Sequence, residues 1–462
     1  MKCKSLKNII ASENLSIKEV MRLIDHSGLR VAYVVDNQDK LIGAVSDSEI
    51  RRAIIAGKDI KYPVKDIVNI SPIILNEKEM TNSLILKRKI KKLLERMPDS
   101  RYILAVDMLG KPLKMIPFVN ALSQKKVTDR NLDKNVMRIL IVGGAGYLGS
   151  VLVRKLLAQG FKVKVLDLLM YGIKPVEELL KDKNFKLVQG DMRNISTIGR
   201  SLDGVDAVIN LAAIVGDPAC NNKPEDAIQT NYLANKVLAD ACKYNQINRF
   251  IYASTCSVYG IMEGDKKLTE DSPLNPVSLY ARSKIQSEES ILALEDENFS
   301  PTILRMSTLH GYSPRMRFDL VVNTMTKTAI VDKKISIHGG GKQWRPLLNV
   351  EDAADAYIRC LGLPLQKVKG HVFNVGSSNQ NYQIYKIANM VQKHIPESKL
   401  VIEGESIDQR NYFVDFSKIE GVLKYKLNFG LEKSILGIKD AIENGGIKDV
   451  NDPKYYNVEV GG

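Results

Sequence analysis

The stretch Arg138-Ile139-Leu140-Ile141-Val142-Gly143-Gly144-Ala145-Gly146-Tyr147-Leu148-Gly149 decides the fold. An apolar run that feeds into glycines and then into the helical pattern Ser150 to Gln159 reads as strand, turn and helix. Such a turn lets the backbone approach a pyrophosphate, whose charge the helix N-terminus stabilises, and Gly146 and Gly149 are expected to permit that approach. The next strand, Lys162-Val163-Lys164-Val165-Leu166-Asp167, ends in a carboxylate about 20 residues after the glycines. Asp167 is expected to bond an adenosine ribose and to repel a 2′-phosphate. No arginine stands beside it in the sequence, so the pattern favours NAD over NADP. The plainer reading of Asp167 is a surface residue capping a turn. Further strands are expected to end near Asp191, Ala213 and Ser254, and strands alternating with helical patterns predict an α/β domain with a doubly wound parallel sheet.

Downstream, Tyr280-Ala281-Arg282-Ser283-Lys284 places a phenol and an ammonium four residues apart on one helix face. A free phenol, with a pKa of roughly 10, is a poor base at neutral pH, and a nearby positive charge favours its phenolate. Lys284 is expected to supply that charge. The hydroxyl-rich Ser254-Thr255-Cys256-Ser257 follows an apolar strand, where Thr255 can reach the oxygen that Tyr280 deprotonates.

These residues resemble the extended short-chain dehydrogenase/reductase family, and in particular its nucleotide-sugar epimerases and dehydratases, over roughly residues 137 to 445. The resemblance implies cofactor roles for Gly143, Gly146, Gly149, Asp167 and Asp191, and catalytic roles for Thr255, Tyr280 and Lys284, the lysine also orienting the nicotinamide ribose. Tyr147, Leu148, Met192 and Ala212 are expected to complete the NAD site. In the family's 4,6-dehydratases an acid follows the catalytic threonine; here Cys256 and Ser257 stand there, which disfavours water elimination. Arg345 and Arg410 resemble the family's phosphate-binding arginines, and Asn323 occupies the place of an asparagine that touches substrate, although a helix-face amide also serves structure. Arg315 and Arg317 lie in a similar turn-rich segment, where Arg315 equally reads as a solvated loop arginine. His310 either lines the substrate pocket or is packed, and Cys256 reads as structural or steric.

The N-terminal quarter is a different object. Val31-Ala32-Tyr33-Val34-Val35-Asp36 recurs 71 residues later as Tyr102-Ile103-Leu104-Ala105-Val106-Asp107, each copy leading to a second strand near Lys40 or Lys111. The continuation Leu41 to Arg52 resembles a cystathionine β-synthase (CBS) domain. Paired CBS domains commonly bind adenine nucleotides, and the resemblance implies contacts from Ser46 and Glu49. The second copy has Pro117 and Asn120 at the matching places, so one functional site at most is expected, or a pair kept for packing. Through residue 134 the chain carries 26 Lys+Arg against 16 Asp+Glu, most of its net +14. Much of this is the run Lys87 to Lys92, expected as the solvated basic face of an amphipathic helix. No nucleic-acid module accompanies the charge, which leaves a nucleotide polyphosphate as the expected anion.

The expected organisation is an α+β CBS pair at 1–123, a linker at 124–136, a catalytic domain at 137–445 and a tail at 446–462. The catalytic domain comprises a Rossmann sheet and a smaller C-terminal substrate subdomain. Neither a long apolar leader nor ~18 consecutive apolar residues occur, so neither secretion nor a membrane span is expected. The five cysteines show no metal-ligand spacing and leave an odd count, as in a reducing cytosol; no metal is expected. The leading expectation is a cytoplasmic, homodimeric or homotetrameric, NAD-dependent nucleotide-sugar 4-epimerase. The alternatives are a 4-dehydrogenase or ketoreductase using the same three residues, and a non-catalytic nucleotide-sensing protein.

Overall fold

A computed structural model describes residues 6, 9–27, 31–80, 85, 89–90, 92–93, 102–117, 137–261, 267–404 and 410–457 of the chain. The chain divides into two compact units, Met1–Arg130 and Asn131–Gly462. The division falls inside the expected linker, whose residues 124–136, like Asn120 and Cys3, lie outside the described ones.

In the first unit β1 (Ile10–Ser12) runs parallel to β2 (Val31–Val35), which pairs antiparallel with β3 (Leu41–Ser46). The second copy repeats this with β4 (Leu75–Asn76), β5 (Tyr102–Val106) and β6 (Pro112–Pro117). The register is the same in both: Val31 faces Ser46 as Tyr102 faces Pro117, and each hairpin slips at the penultimate residue of its first strand. The aspartates explain the tight turns, because Asp36 accepts from the Gln38 and Lys40 amides and Asp107 from those of Leu109 and Lys111. Tyr33, Ala44, Leu104, Val106 and Met115 form one buried cluster, so the copies bury their sheets against each other. Of the basic run, Lys89 bonds Glu79 and the Ile74 carbonyl instead of pointing at water, while Ile90 is buried.

In the second unit seven parallel strands form the main sheet. They are β7 (Arg138–Val142), β8 (Lys162–Asp167), β9 (Phe185–Gln189), β10 (Ala207–Asn210), β11 (Arg249–Thr255), β12 (Ser300–Met306) and β16 (Val372–Val375), in the order β16-β12-β11-β10-β7-β8-β9. From β7 the chain steps outward to β9, then returns to the other side as β10. The order therefore reverses between β7 and β10, where adjacent loops diverge and leave a crevice at the strands' carboxyl ends. Helices cover both faces, and separate apolar clusters around Ile139, Ile141, Ile209 and Leu304 on one side and Leu140, Val208, Phe250 and Ile303 on the other account for the nearly continuous apolar strands.

A smaller subdomain follows. It contains β13 (Thr308–His310), β14 (Lys334–His338), β15 (Trp344–Asn349), β17 (Asn381–Gln383) and β18 (Lys399–Glu403), with β14 beside β18 and β15 between β13 and β17. The helices Val321–Val331, Ile384–His394 and Leu431–Glu443 enclose its own core. Residues 446–457, expected as part of a tail, instead belong to this body: Phe318 donates its amide to the Tyr455 carbonyl at 2.9 Å and Lys327 reaches the Tyr456 hydroxyl at 3.2 Å. No helix among the described residues is long and apolar enough to cross a membrane.

Candidate active site

The crevice is a cavity of about 1400 Å³, walled by the glycine turn, the ends of β8 to β11, Tyr280, and the loops of the smaller subdomain. A site for one small molecule spans about 300–1,000 Å³, so this one has room for a dinucleotide and a second ligand.

The glycines divide their work differently from the sequence expectation. Gly143 has φ +84°, which a side chain resists, and a Cβ there would lie 2.8 Å from the Ala212 amide nitrogen. A Cβ on Gly149 would lie 2.3 Å from the Gly143 carbonyl oxygen, so this glycine seats the helix on its own turn instead of admitting a phosphate. Gly146 is the position left for close approach: its nearest neighbour to a Cβ is 3.3 Å away, and it caps the helix Tyr147–Ala158, whose N-terminus opens into the cavity. Tyr147 and Leu148 contribute that helix end. The Tyr147 side chain itself is turned away, donating to the Gly311 carbonyl at 2.6 Å. Asp167 stands at the end of β8 and accepts from the Ala145 and Leu169 amides, both at 2.8 Å. Burial raises its pKa despite those bonds and the Arg315 charge. Asp191, Met192 and Ala212 line the same wall, with Asp191 held by Arg193 at 2.7 Å and its pKa lowered by that hydrogen bond.

Tyr280 is the second residue of the helix Leu279–Leu292, which Ser278 caps by accepting from the Ala281 amide at 3.2 Å. A phenolate there would sit at the positive end of the helix dipole. Thr255 ends β11 and accepts from the Ser257 amide at 3.1 Å; it lines the same cavity wall as Tyr280, and its hydroxyl lowers the phenol's pKa. The backbone amide fixes the threonine as acceptor on one side and leaves its proton for an oxygen in the cavity. Lys284 departs from expectation. Its ammonium donates to the Ala253 carbonyl at 2.8 Å and lies 4.8 Å from the Tyr252 ring centre, against 5.9 Å from that of Tyr280. Burial, helped by Cys220 and Asp217, drives the Tyr280 pKa up, opposed by the Arg317 charge and the Thr255 hydroxyl. Burial also lowers the Lys284 pKa to about 8. The phenol is thus not held low by Lys284 in this structure, because both groups are desolvated together; Arg317 is a cation that acts on it.

Arg345 and Arg410 come from β15 and a distant loop to the same cavity wall, where Arg345 bonds the Trp344 and Arg410 carbonyls and Arg410 meets Asp217 at 3.3 Å. Asn323 does not reach the cavity. It is fully buried, accepting from the Gly311 amide and donating to the Tyr147 hydroxyl and the Arg317 carbonyl, so the substrate contact expected of it is replaced by a structural one. His310 is packed at 1% exposure against Ser434, with its pKa pushed down to about 3 by burial. Cys256 is buried, donates to the Arg305 carbonyl, and has its pKa raised by burial, which leaves no nucleophile.

Two groups escaped the sequence reading. Glu288 continues the Tyr280, Lys284 face by one more turn and forms a buried ion pair with Arg305 at 2.7 Å while accepting from Ser254, fastening the helix to β11 and β12. The i, i+4, i+8 spacing was its signal. Asp217 follows the end of β10 in Gly216-Asp217-Pro218; its Oδ1 is buried without a hydrogen-bond partner among the described residues. An acid on a loop beside the switch point was the signal there.

In the N-terminal unit Ser46 and Glu49 face each other. The Glu49 carboxylate accepts from the Ser46 amide at 2.9 Å and from its hydroxyl, which ties the start of the helix Asp47–Ile55, and also pairs with Arg52. Both side chains thus have a structural task independent of any nucleotide.

Residues 139–376 match the profile of the NAD dependent epimerase/dehydratase family, and residues 5–56 that of the CBS domain. The UDP-glucose 4-epimerase of Lactobacillus helveticus is 31% identical over 277 residues, 55% of this chain and 82% of that one. An uncharacterized UDP-glucose epimerase of Bacillus subtilis (strain 168) is 28% identical over 301 residues, 63% of this chain and 92% of that one. Among solved structures, a UDP-glucuronic acid 4-epimerase from Bacillus cereus, in complex with UDP-glucuronic acid and NAD, superposes with a TM-score of 0.61 at 25% identity, covering 67% of this chain and 99% of that one.

Proposed function

Because the chain belongs to the NAD dependent epimerase/dehydratase family, we propose that it is a nucleotide-sugar 4-epimerase acting on a UDP-hexose. The observation that carries this reading is the Thr255–Tyr280 hydroxyl pair on the cavity wall, with Cys256 and Ser257 where an eliminating enzyme needs a carboxylate. The glycine at 146, the helix N-terminus and the Asp167 carboxylate fit a dinucleotide. NAD, when bound, supplies a reversible hydride acceptor at the carbon bearing the reacting hydroxyl.

The chain's own residues do the rest. Thr255 holds the sugar C4 oxygen and Tyr280 takes its proton, with the helix N-terminus and Arg317 favouring the phenolate. Lys284, fixed by the Ala253 carbonyl, would hold the cofactor ribose. Gly143, Gly146, Gly149, Asp167, Asp191, Met192 and Ala212 shape the cofactor half, and Arg345 and Arg410 hold the substrate diphosphate. The proton returns from Tyr280 once the other face of the ketone is presented.

Incubation with UDP-glucose and NAD, followed by chromatography of the sugar nucleotides, tests this reading. UDP-galactose without net NADH is the expected result; accumulating NADH supports a dehydrogenase, and a product lighter by one water a dehydratase. Tyr280→Phe should retain NAD and lose at least ~10²-fold in turnover. For the N-terminal unit, the CBS profile supports adenine-nucleotide binding with Ser46 and Glu49 at its edge, and a modest effect on rate, ~1–3 kcal/mol of coupling. Calorimetry with AMP, ADP and ATP tests it; no heat from any of them leaves a packing module.

A further inference from the structure

Arg315 is a buried cation with no counter-ion among the described residues. It is 3% exposed, and among the described residues no carboxylate comes within ion-pair distance of it, while its neighbour Arg317 takes the Asp319 carboxylate in a two-pronged contact. One guanidinium nitrogen donates to the Asn457 side chain at 2.7 Å, and the planar group lies 3.7 Å from the Tyr171 ring centre. Its Nε is buried without a hydrogen-bond partner among the described residues. Burial and the Arg317 charge lower its pKa to about 10, so it still carries its proton at neutral pH. A buried charge in this condition is unfavourable unless an anion completes it.

The position of Arg315 narrows the anion. Tyr171 belongs to the loop that follows Asp167, and the Arg315 charge acts on that carboxylate. Two residues before Arg315, Ser313 donates to the Tyr147 carbonyl at 2.6 Å and bonds the Ser150 hydroxyl at 3.0 Å. The Arg315 loop is therefore tied to the first turn of the helix that opens at the glycines, and Arg315 lines the same cavity. The substrate arginines Arg345 and Arg410 come from other loops.

We propose that Arg315 binds the diphosphate of the dinucleotide cofactor, opposite the helix N-terminus at Gly146, and that through Asn457 it links cofactor occupancy to the C-terminal segment. The planar fork, stacked on Tyr171, offers its remaining donors to phosphate oxygens without reorganisation. This assignment rests on the family's cofactor and adds a residue from the substrate half to its site.

The test is calorimetric titration of the cofactor-free full-length protein and of Arg315→Gln with NAD, NADP, ADP-ribose, adenosine and UDP. The expected result is a loss of about 10–100-fold for NAD and ADP-ribose, with adenosine and UDP within about twofold of native. Arg315→Lys, which keeps the charge and loses the fork, should fall between, and serves if the glutamine variant does not fold. Equal losses for adenosine and ADP-ribose would make Arg315 a mere support for Tyr171. A loss confined to UDP would assign it to the substrate, and one confined to NADP to a 2′-phosphate; each overturns the proposal. If native protein binds neither NAD nor ADP-ribose, the cofactor reading itself falls first.

Discussion

Lys284→Met should make the protein more stable at neutral pH while abolishing turnover. Lys284 is 2% exposed, and burial lowers its pKa from 10.5 to about 8. Holding it protonated at pH 7 therefore costs about 3 kcal/mol relative to the unfolded chain. Methionine removes that cost at similar length. It also leaves the Ala253 carbonyl without its donor, about 1 kcal/mol, and forfeits the cation over the Tyr252 ring, about 0.5–1 kcal/mol. The net gain is about 1–2 kcal/mol, or about 2–5 °C in melting temperature. Between pH 8 and 10.5 the unfolded state keeps the lysine proton that the native state has lost, so native stability rises with pH and the advantage of methionine shrinks. Trp344, the chain's one tryptophan, lies in the same unit, so its fluorescence follows the relevant transition in urea at pH 7 and pH 10 without cofactor. A Lys284→Met protein less stable than native at pH 7, or an advantage that does not change with pH, would refute the reasoning.

Asp167→Ala should weaken NAD and relax discrimination against NADP, since the repelling carboxylate goes and the Ala145 amide loses its acceptor; native protein binding both cofactors equally in titrations would show that Asp167 does not read the ribose. Gly149→Ala should destabilise the second unit by about 1–3 kcal/mol in thermal melts, because its Cβ meets backbone at 2.3 Å, whereas Gly146→Ala, whose Cβ meets the Gly143 carbonyl oxygen at 3.3 Å, should destabilise it less and lose cofactor affinity. Glu49→Ala should cost the first unit about 1 kcal/mol, because the Ser46 amide at the helix start loses its acceptor, read as faster hydrogen exchange over 47–55; unchanged exchange there would mean that the contact is idle.

Local pattern carried far in this chain. Strand β7, its glycines, the acid ending β8 and the Tyr280–Lys284 spacing are encoded within a few residues each, and each falls in the structure on the same crevice. The duplication at 71 residues is equally local: an apolar run ending in a turn-capping aspartate folds the same way twice. The failures share a cause. Asn323 and Arg315 lie eight residues apart in one segment, and nothing in their neighbours tells which points into the cavity. The packing of the Val321–Val331 helix turns the asparagine toward Tyr147, and the Ser313 contacts turn the arginine toward the glycine helix. Ser46 and Glu49 match a ligand motif and a capping box with the same letters.

The sequence by itself determined the parallel sheet with its switch point, the duplicated N-terminal unit and the hydroxyls proposed to react, because strand alternation, glycine conformation and helical spacing act over one or two turns of chain. Only the tertiary structure decided which charges act on those hydroxyls. Desolvation and Coulomb forces depend on what lies across the cavity, so Lys284 is lowered and Tyr280 raised by burial, and Arg317 and Asp217 reach the site from distant segments. The C-terminal residues to Asn457 joined the cavity wall for the same reason: their partners, Phe318, Lys327 and Arg315, lie more than a hundred residues away.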